Sequence, residues 1–182
     1  CQFHSLDIPL PVQANIALET ETRELNVPAG LQDRVVQAYQ GLVYMDFSKH
    51  LMDARGYGEY ERMNAALLPN VYVAYRTSLS EGTEVFHSNL RERWQRGDPE
   101  VVGAMQTWAG YAAEGRACLM EHNYERLNQL VDANFDLRAK IYQIDAGNLE
   151  MVRTARAAGA TANFAGSGGA IVGTYRDEGM YG

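Results

Sequence analysis

Residues 161–175 read TANFAGSGGAIVGTY. Thr161 to Phe164 and Ala170 to Tyr175 carry strand-favouring residues, and the glycines from Gly166 to Gly169 supply a tight turn between them. The pattern predicts a hairpin, and what precedes it decides the fold class. Asp98-Pro99-Glu100 is a helix start, with Asp as cap and Pro in the first position. Val102, Met105, Trp108, Ala109, Ala112 and Leu119 then keep helical spacing to about His122. Leu127, Leu130, Asn134, Leu137 and Ile141 mark the next helix. Leu149, Val152, Ala155 and Ala158 mark a shorter one, which Gly159 stops as a C-cap would. Further upstream, Val85, Phe86, Leu90 and Trp94 share one helical stripe, and Trp94, Trp108 and the methionines are expected in the core. Val71 to Tyr75 is a near-continuous apolar run, which predicts a buried strand. Strand, four helices, strand, turn and strand make an α+β arrangement, not a doubly wound βαβ series.

The N-terminal third is organised differently. Val12 to Leu25 is helix-like, with Pro9 and Pro11 at its entrance and Pro28-Ala29-Gly30 after it. A second helix is expected over Gln32 to Tyr39, followed by a strand from Leu42 to Phe47. Lys49 to Pro69 is polar and carries Gly56 and Gly58, which predicts a connection between two domains.

Composition bounds the function. The chain has 182 residues, 16 Lys and Arg against 23 Asp and Glu, and a net charge of -7. At 46% hydrophobic and 21% charged residues it is globular, one domain or a little more. The acidic balance argues against general binding of nucleic acid or of an acidic membrane surface. No apolar run of about 18 residues is present to span a membrane. Cys1 and Cys118 do not make a disulfide framework, so a reduced, cytoplasmic protein is expected. Cys1 itself reads as the place where the chain was cut, with a lipidated first residue as the rival.

Four features could carry chemistry. Gly166, Ser167, Gly168 and Gly169 could turn successive amides toward an anion such as phosphate, although a plain hairpin turn is equally good. The phosphate-loop Lys-Ser/Thr ending and the dinucleotide-binding spacing are both absent. Asp33 falls in the first turn of a helix, where the dipole favours a carboxylate; that stability alone explains it. Asp33 with Glu21 or Glu24 could share a hard cation, or the acidic residues could be a solvated face. Arg76, Arg91, Arg93 and Arg96 could meet an anionic group, but more often form a solvated helix face. His4, His50, His87 and His122 lack metal-ligand spacing, and His87 beside Ser88 lacks the third member of a triad.

Two segments together resemble the GHMP small-molecule kinases. Glu21 to Phe47, ETRELNVPAGLQDRVVQAYQGLVYMDF, is similar to that family's Glu, then Gly-x-x-Asp, then strand pattern. Asn163 to Val172, NFAGSGGAIV, is similar to its third motif. AGLQDRVVQAYQGLVYMDF, VYVAYRTSLSE, VFHSNLRERWQRGD and NFDLR look most like the glucuronokinase-like branch of the sugar-1-kinases.

The resemblance implies a fold and a chemistry. Residues 1–68 would be the C-terminal part of an S5-like N-terminal domain and its connection. Residues 69–182 would be the ferredoxin-like C-terminal domain, short of its last helix and strand, with the active site between the two domains. The implied reaction moves the γ-phosphoryl group of ATP to the anomeric hydroxyl of a sugar, with glucuronate as the first candidate. Asp33 would be catalytic and Glu21 would attend Mg2+, with Glu24 as the weaker choice. Gly166, Ser167, Gly168 and Gly169 would support the phosphate loop, and Gly30, Gln32 and Arg76 would contact the sugar. The family's glycine- and serine-rich nucleotide loop is not among the 182 residues. The chain is therefore expected to be inactive alone, to need the N-terminal half as partner, and to self-associate through exposed core faces. The rival reading is a non-catalytic binding or regulatory module of the same fold.

Overall fold

A computed structural model describes residues 6–27, 29–77, 84–166 and 168–181, with side chains except those of 84–89 and 181. Cys1, Pro28 and Ser167 lie outside the described residues, as do the side chains of His87 and Ser88. The chain forms two compact units, Cys1–Ala66 and Leu67–Gly182.

In the first unit, α1 (Leu10–Glu19) starts behind Pro9 and packs on α2 (Leu31–Tyr39) through the buried Ala14 and Val35. Strand β1 (Leu42–Asp46) pairs antiparallel with β2 (Glu59–Met63), from Leu42 opposite Met63 to Asp46 opposite Glu59. Between them lies α3 (Lys49–Arg55), closed by Gly56 in the left-handed conformation. Residues 49–69 are thus not a plain connection but a helix, a strand and a 3₁₀ turn over Ala65–Leu67. Their polarity misled because a two-stranded sheet leaves much of its side-chain surface in water. The start of α3 is fixed by Asp46, whose Oδ1 accepts from the Ser48 hydroxyl and from the Ser48 amide at 2.8 Å. The Ser48 hydroxyl, then its amide, holds the Asp46 carboxyl below its ordinary value.

In the second unit, β3 (Val71–Tyr75), β4 (Asn163–Phe164) and β5 (Ala170–Thr174) form an antiparallel sheet in the order β3-β5-β4. Val73 and Asn163 both face Val172. Helices α4 (Glu84–Gln95), α5 (Pro99–Met120), α6 (Tyr124–Ile141) and α7 (Ala146–Ala157) come between β3 and β4. Asp98, Asn123 and Asp145 cap α5, α6 and α7 through side-chain oxygens. The core joins Phe135, Met151, Val152, Ala162 and Ile171, with Tyr72, Leu149 and Phe164 packed against it.

The α+β expectation holds: seven α-helices and small antiparallel sheets among the described residues. Strand β3 is not buried, however. It is an edge strand, and Val71, Val73 and Tyr75 on one face are exposed, Val73 by 66% and Tyr75 by 73%. An apolar run alone cannot distinguish a central strand from an edge. Trp94, Met105 and Met120 are likewise exposed, not core.

One close approach fixes the sheet. A Cβ on Gly173 would lie 1.8 Å from the Thr161 carbonyl oxygen. Tyr72 covers the glycine and donates its hydroxyl to that oxygen at 2.7 Å. Thr174 Oγ1 donates to Asn128 Oδ1 at 2.6 Å, so it accepts from Thr161 Oγ1 at 2.8 Å. This buried network ties β5 to α6.

Gly173→Ala is expected to cost about 3 kcal/mol or more through overpacking. Gly166→Ala, where nothing lies within 4 Å of the added carbon, is expected to stay within about 0.5 kcal/mol. Equal denaturant midpoints for the two variants would refute the close approach. Because the folded Asp46 carboxyl titrates below its unfolded value, its contribution is present above that value and is lost as pH falls through the folded one. Ser48→Ala is expected to move the Asp46 carboxyl upward in an NMR titration.

Candidate active site

Helix α1 does not end at Glu19 but widens into a π-helical turn, Thr20–Glu24. The Leu25 amide reaches back to Thr20 O at 3.0 Å, and the Val27 amide to Glu21 O at 2.8 Å. Thr20 and Thr22 donate their hydroxyls to Ile16 O at 2.9 Å and Leu18 O at 2.7 Å, competing locally with the regular ladder. Such π turns recur at functional sites. This one carries Glu21, half-buried, toward the first turn of α2.

Helix α2 begins after Gly30, which is extended and offers no side-chain cap. Asp33 stands in its first turn with its side chain 71% exposed. The next residue, Arg34, is only 13% exposed and turns back over this turn. Its Nη1 donates to Asp33 Oδ2 at 3.2 Å and reaches Gly30 O at 3.4 Å, and its Nη2 pairs with Glu21 Oε2. One guanidinium therefore touches Glu21, Gly30 and Asp33. Gln32 is exposed. Glu24 is exposed and has no such partner among the described contacts.

The other candidates lie in the second unit. Gly168 and Gly169 have φ of 153° and 73°. Asn148, buried near the start of α7, accepts from the Gly169 amide at 2.7 Å. A Cβ on Gly168 would come within 3.2 Å of Asn148 Nδ2. The Arg76 amide donates to Gly169 O at 2.8 Å, so Arg76 and the turn are neighbours. The Arg76 side chain pairs with Glu150 Oε2 at 3.1 Å in an exposed pair of small energetic weight. Arg93, from the sequence's basic cluster, bonds Asp98 at 2.7 Å and Glu100 at 2.6 Å and braces the start of α5. Each unit thus holds its own part of the candidate set.

Two glucuronokinases of Arabidopsis thaliana are similar to this chain. Glucuronokinase 1 is 43% identical over 168 residues, 91% of this chain and 46% of its own length. Probable glucuronokinase 2 is 45% identical over 169 residues, with the same shares. The chain is homologous to glucuronokinases. It spans about half the length of the curated relatives it matches. No family model and no solved structure matches.

In this glucuronokinase homologue, the residues around Glu21 do not fit a magnesium ion. Its carboxylate is taken up by Arg34, and a guanidinium repels a dication. Among the described residues no three His, Cys, Asp or Glu side chains gather where a metal could sit. Arg34 and Asn148 were missed in the sequence. Arg34 stands inside the Gly-x-x-Asp segment, yet only the fold shows it turning back over Gly30. No described helix is long and apolar enough to cross a membrane.

Arg34→Met leaves the half-buried Glu21 without its counter-charge and is expected to cost about 1–3 kcal/mol, less than for a fully buried pair. Glu21→Gln is expected to cost a similar amount, and the double variant less than the sum. Additive losses in denaturant unfolding would show that the pair is not coupled.

Proposed function

We propose that the intact protein containing this chain is an ATP-dependent sugar kinase that phosphorylates the anomeric hydroxyl of glucuronate. Identity above 40% to two glucuronokinases over nine-tenths of the chain carries this reading. In it, residues 1–68 belong to the S5-like domain of a GHMP kinase and residues 69–182 to its ferredoxin-like domain.

Asp33 is the group that takes or orients the acceptor proton. It is open to a ligand, and the first turn of α2 favours its charged form. As the new bond forms between the anomeric oxygen and the γ-phosphorus, the bond to the β–γ bridging oxygen breaks and ADP leaves. The hydroxyl proton passes to the Asp33 carboxylate. Arg34 holds Asp33 in place, and Glu21 anchors Arg34. Gly30 and Gln32, just ahead of Asp33 in sequence, line the acceptor pocket. In the second unit, Gly166, Gly168 and Gly169 support phosphate binding beside Ser167, which lies outside the described residues. Arg76, whose guanidinium already holds the Glu150 carboxylate, offers the fork that a uronate carboxylate would take.

The intact protein, given ATP, a divalent cation and a panel of sugars, is expected to form glucuronate 1-phosphate in preference to neutral sugar phosphates. Asp33→Asn is expected to lower kcat by about 100-fold or more with an unchanged melting temperature. Full activity of that variant would remove Asp33 from the reaction, and no product from any sugar would overturn the kinase reading.

A further inference from the structure

Phe135 and Phe164 pack edge to face in the core of the second unit, ring centres 5.2 Å apart. Each ring carries an arginine on its face. Arg156 lies 5.3 Å from the Phe135 ring centre and Arg138 lies 5.4 Å from that of Phe164. Their electrostatic surroundings are opposite. Arg156 has two carboxylates, Asp132 at 3.0 Å and Asp136 at 2.7 Å, and also reaches two carbonyl oxygens. Arg138 has no carboxylate among the described residues.

What Arg138 has is weaker. Its Nη1 donates to Gly166 O at 2.9 Å, and its guanidinium also lies 5.8 Å from the Tyr142 ring centre. It sits in the last turn of α6, where the helix end contributes partial negative charge. None of these is a full counter-charge. The acids nearest to it in sequence are already engaged: Asp132 and Asp136 with Arg156, Asp145 capping α7, and Glu150 with Arg76. Burial accordingly pushes the Arg138 guanidinium down from its ordinary pKa, partly offset by Tyr142. A partly desolvated cation without a carboxylate is unfavourable, yet this one is placed at a glycine turn in a chain of net charge -7.

We propose that Arg138 is an anion-binding residue of the second unit, its guanidinium receiving a phosphate or carboxylate group of a small-molecule ligand beside Gly166. The fork of a guanidinium matches two oxygens of such a group, and the Phe164 and Tyr142 rings fix its plane before the ligand arrives. The ligand's identity rests on the kinase reading, whereas the existence of the site does not. A purely structural Arg138 would hold Gly166 and the rings and ignore anions.

The test is an NMR titration of the 182-residue chain, following the Arg138 side-chain N–H signal. The probes are inorganic phosphate, ATP, sodium glucuronate and, as neutral control, glucose. A saturable shift with at least one anion and none with glucose is expected. The effective anion distinguishes a nucleotide phosphate from a uronate carboxylate. Arg138→Lys is expected to keep weakened binding. Arg138→Met, which keeps an unbranched stem on the rings, is expected to bind about tenfold more weakly or worse, as the loss of one charge-assisted contact implies. An Arg138 signal that no anion moves, or a folded Arg138→Met variant that binds like the parent, would overturn the proposal. If the anion binds and the intact protein transfers no phosphoryl group, the kinase reading fails and this one stands.

Discussion

A guanidinium drawn out of water must be met by negative charge close at hand, and both units are built around that requirement. In the first unit Arg34 is met by Glu21 from the π-helical turn and by Asp33 from its own helix. The two helices cannot separate without leaving a cation stranded, so the ion pair specifies how they meet at that end, while Ala14 and Val35 supply the apolar contact. In the second unit Arg93 braces the start of α5, and Arg156 gathers Asp132, Asp136 and the Ala162 carbonyl. Arg156 thereby joins α6, α7 and the approach to β4. Arg138 departs from that rule, and it does so beside the turn that the sequence had already marked.

The pairing of cation and acid also changes what the first turn of α2 can be. From the residues alone Glu21 and Asp33 could be a solvated acidic face, and the resemblance to the GHMP kinases assigns magnesium to Glu21. The fold fills that place with Arg34. Glu21 becomes an anchor, and Asp33 remains the open carboxylate. An anchored arginine beside it limits its rotamers without burying it, a suitable arrangement for a group that must meet a small molecule in a defined direction.

The readable parts of this fold were those written locally. The cap at Asp98 with Pro99 behind it, and the stop at Gly159, are signals between residues a few positions apart, and α5 and α7 begin and end close to where those signals put them. The hairpin at Gly166 to Gly169 was legible for the same reason. Strand β3 was not: Val71, Val73 and Tyr75 look like an interior strand because apolar content does not say how many neighbours a strand has. Residues 49–69 failed in the opposite sense, since polar residues still form a helix and pair into a strand when the partner is only β1. At the candidate site, Asp33 and Glu21 could be named from the sequence, but Arg34's contact across the intervening residues 22–33 depends on the turn at Thr20–Glu24. Arg138 was invisible because what distinguishes it is a missing partner.

The π-helical turn makes chain length itself a constraint. A π turn holds one more residue than an α turn, so it stores a one-residue insertion inside a helix. Removing a residue between Ile16 and Glu21 would let the ladder relax to the α form and move Glu21, inside the widened turn, back one position, turning it by up to about 100° around the axis. Glu21 would then leave the side of the helix that meets Arg34, although its identity was unchanged. This stretch can therefore tolerate altered letters more readily than an altered count, and an alignment that closes a gap here would misplace the acid that holds the first turn of α2 together.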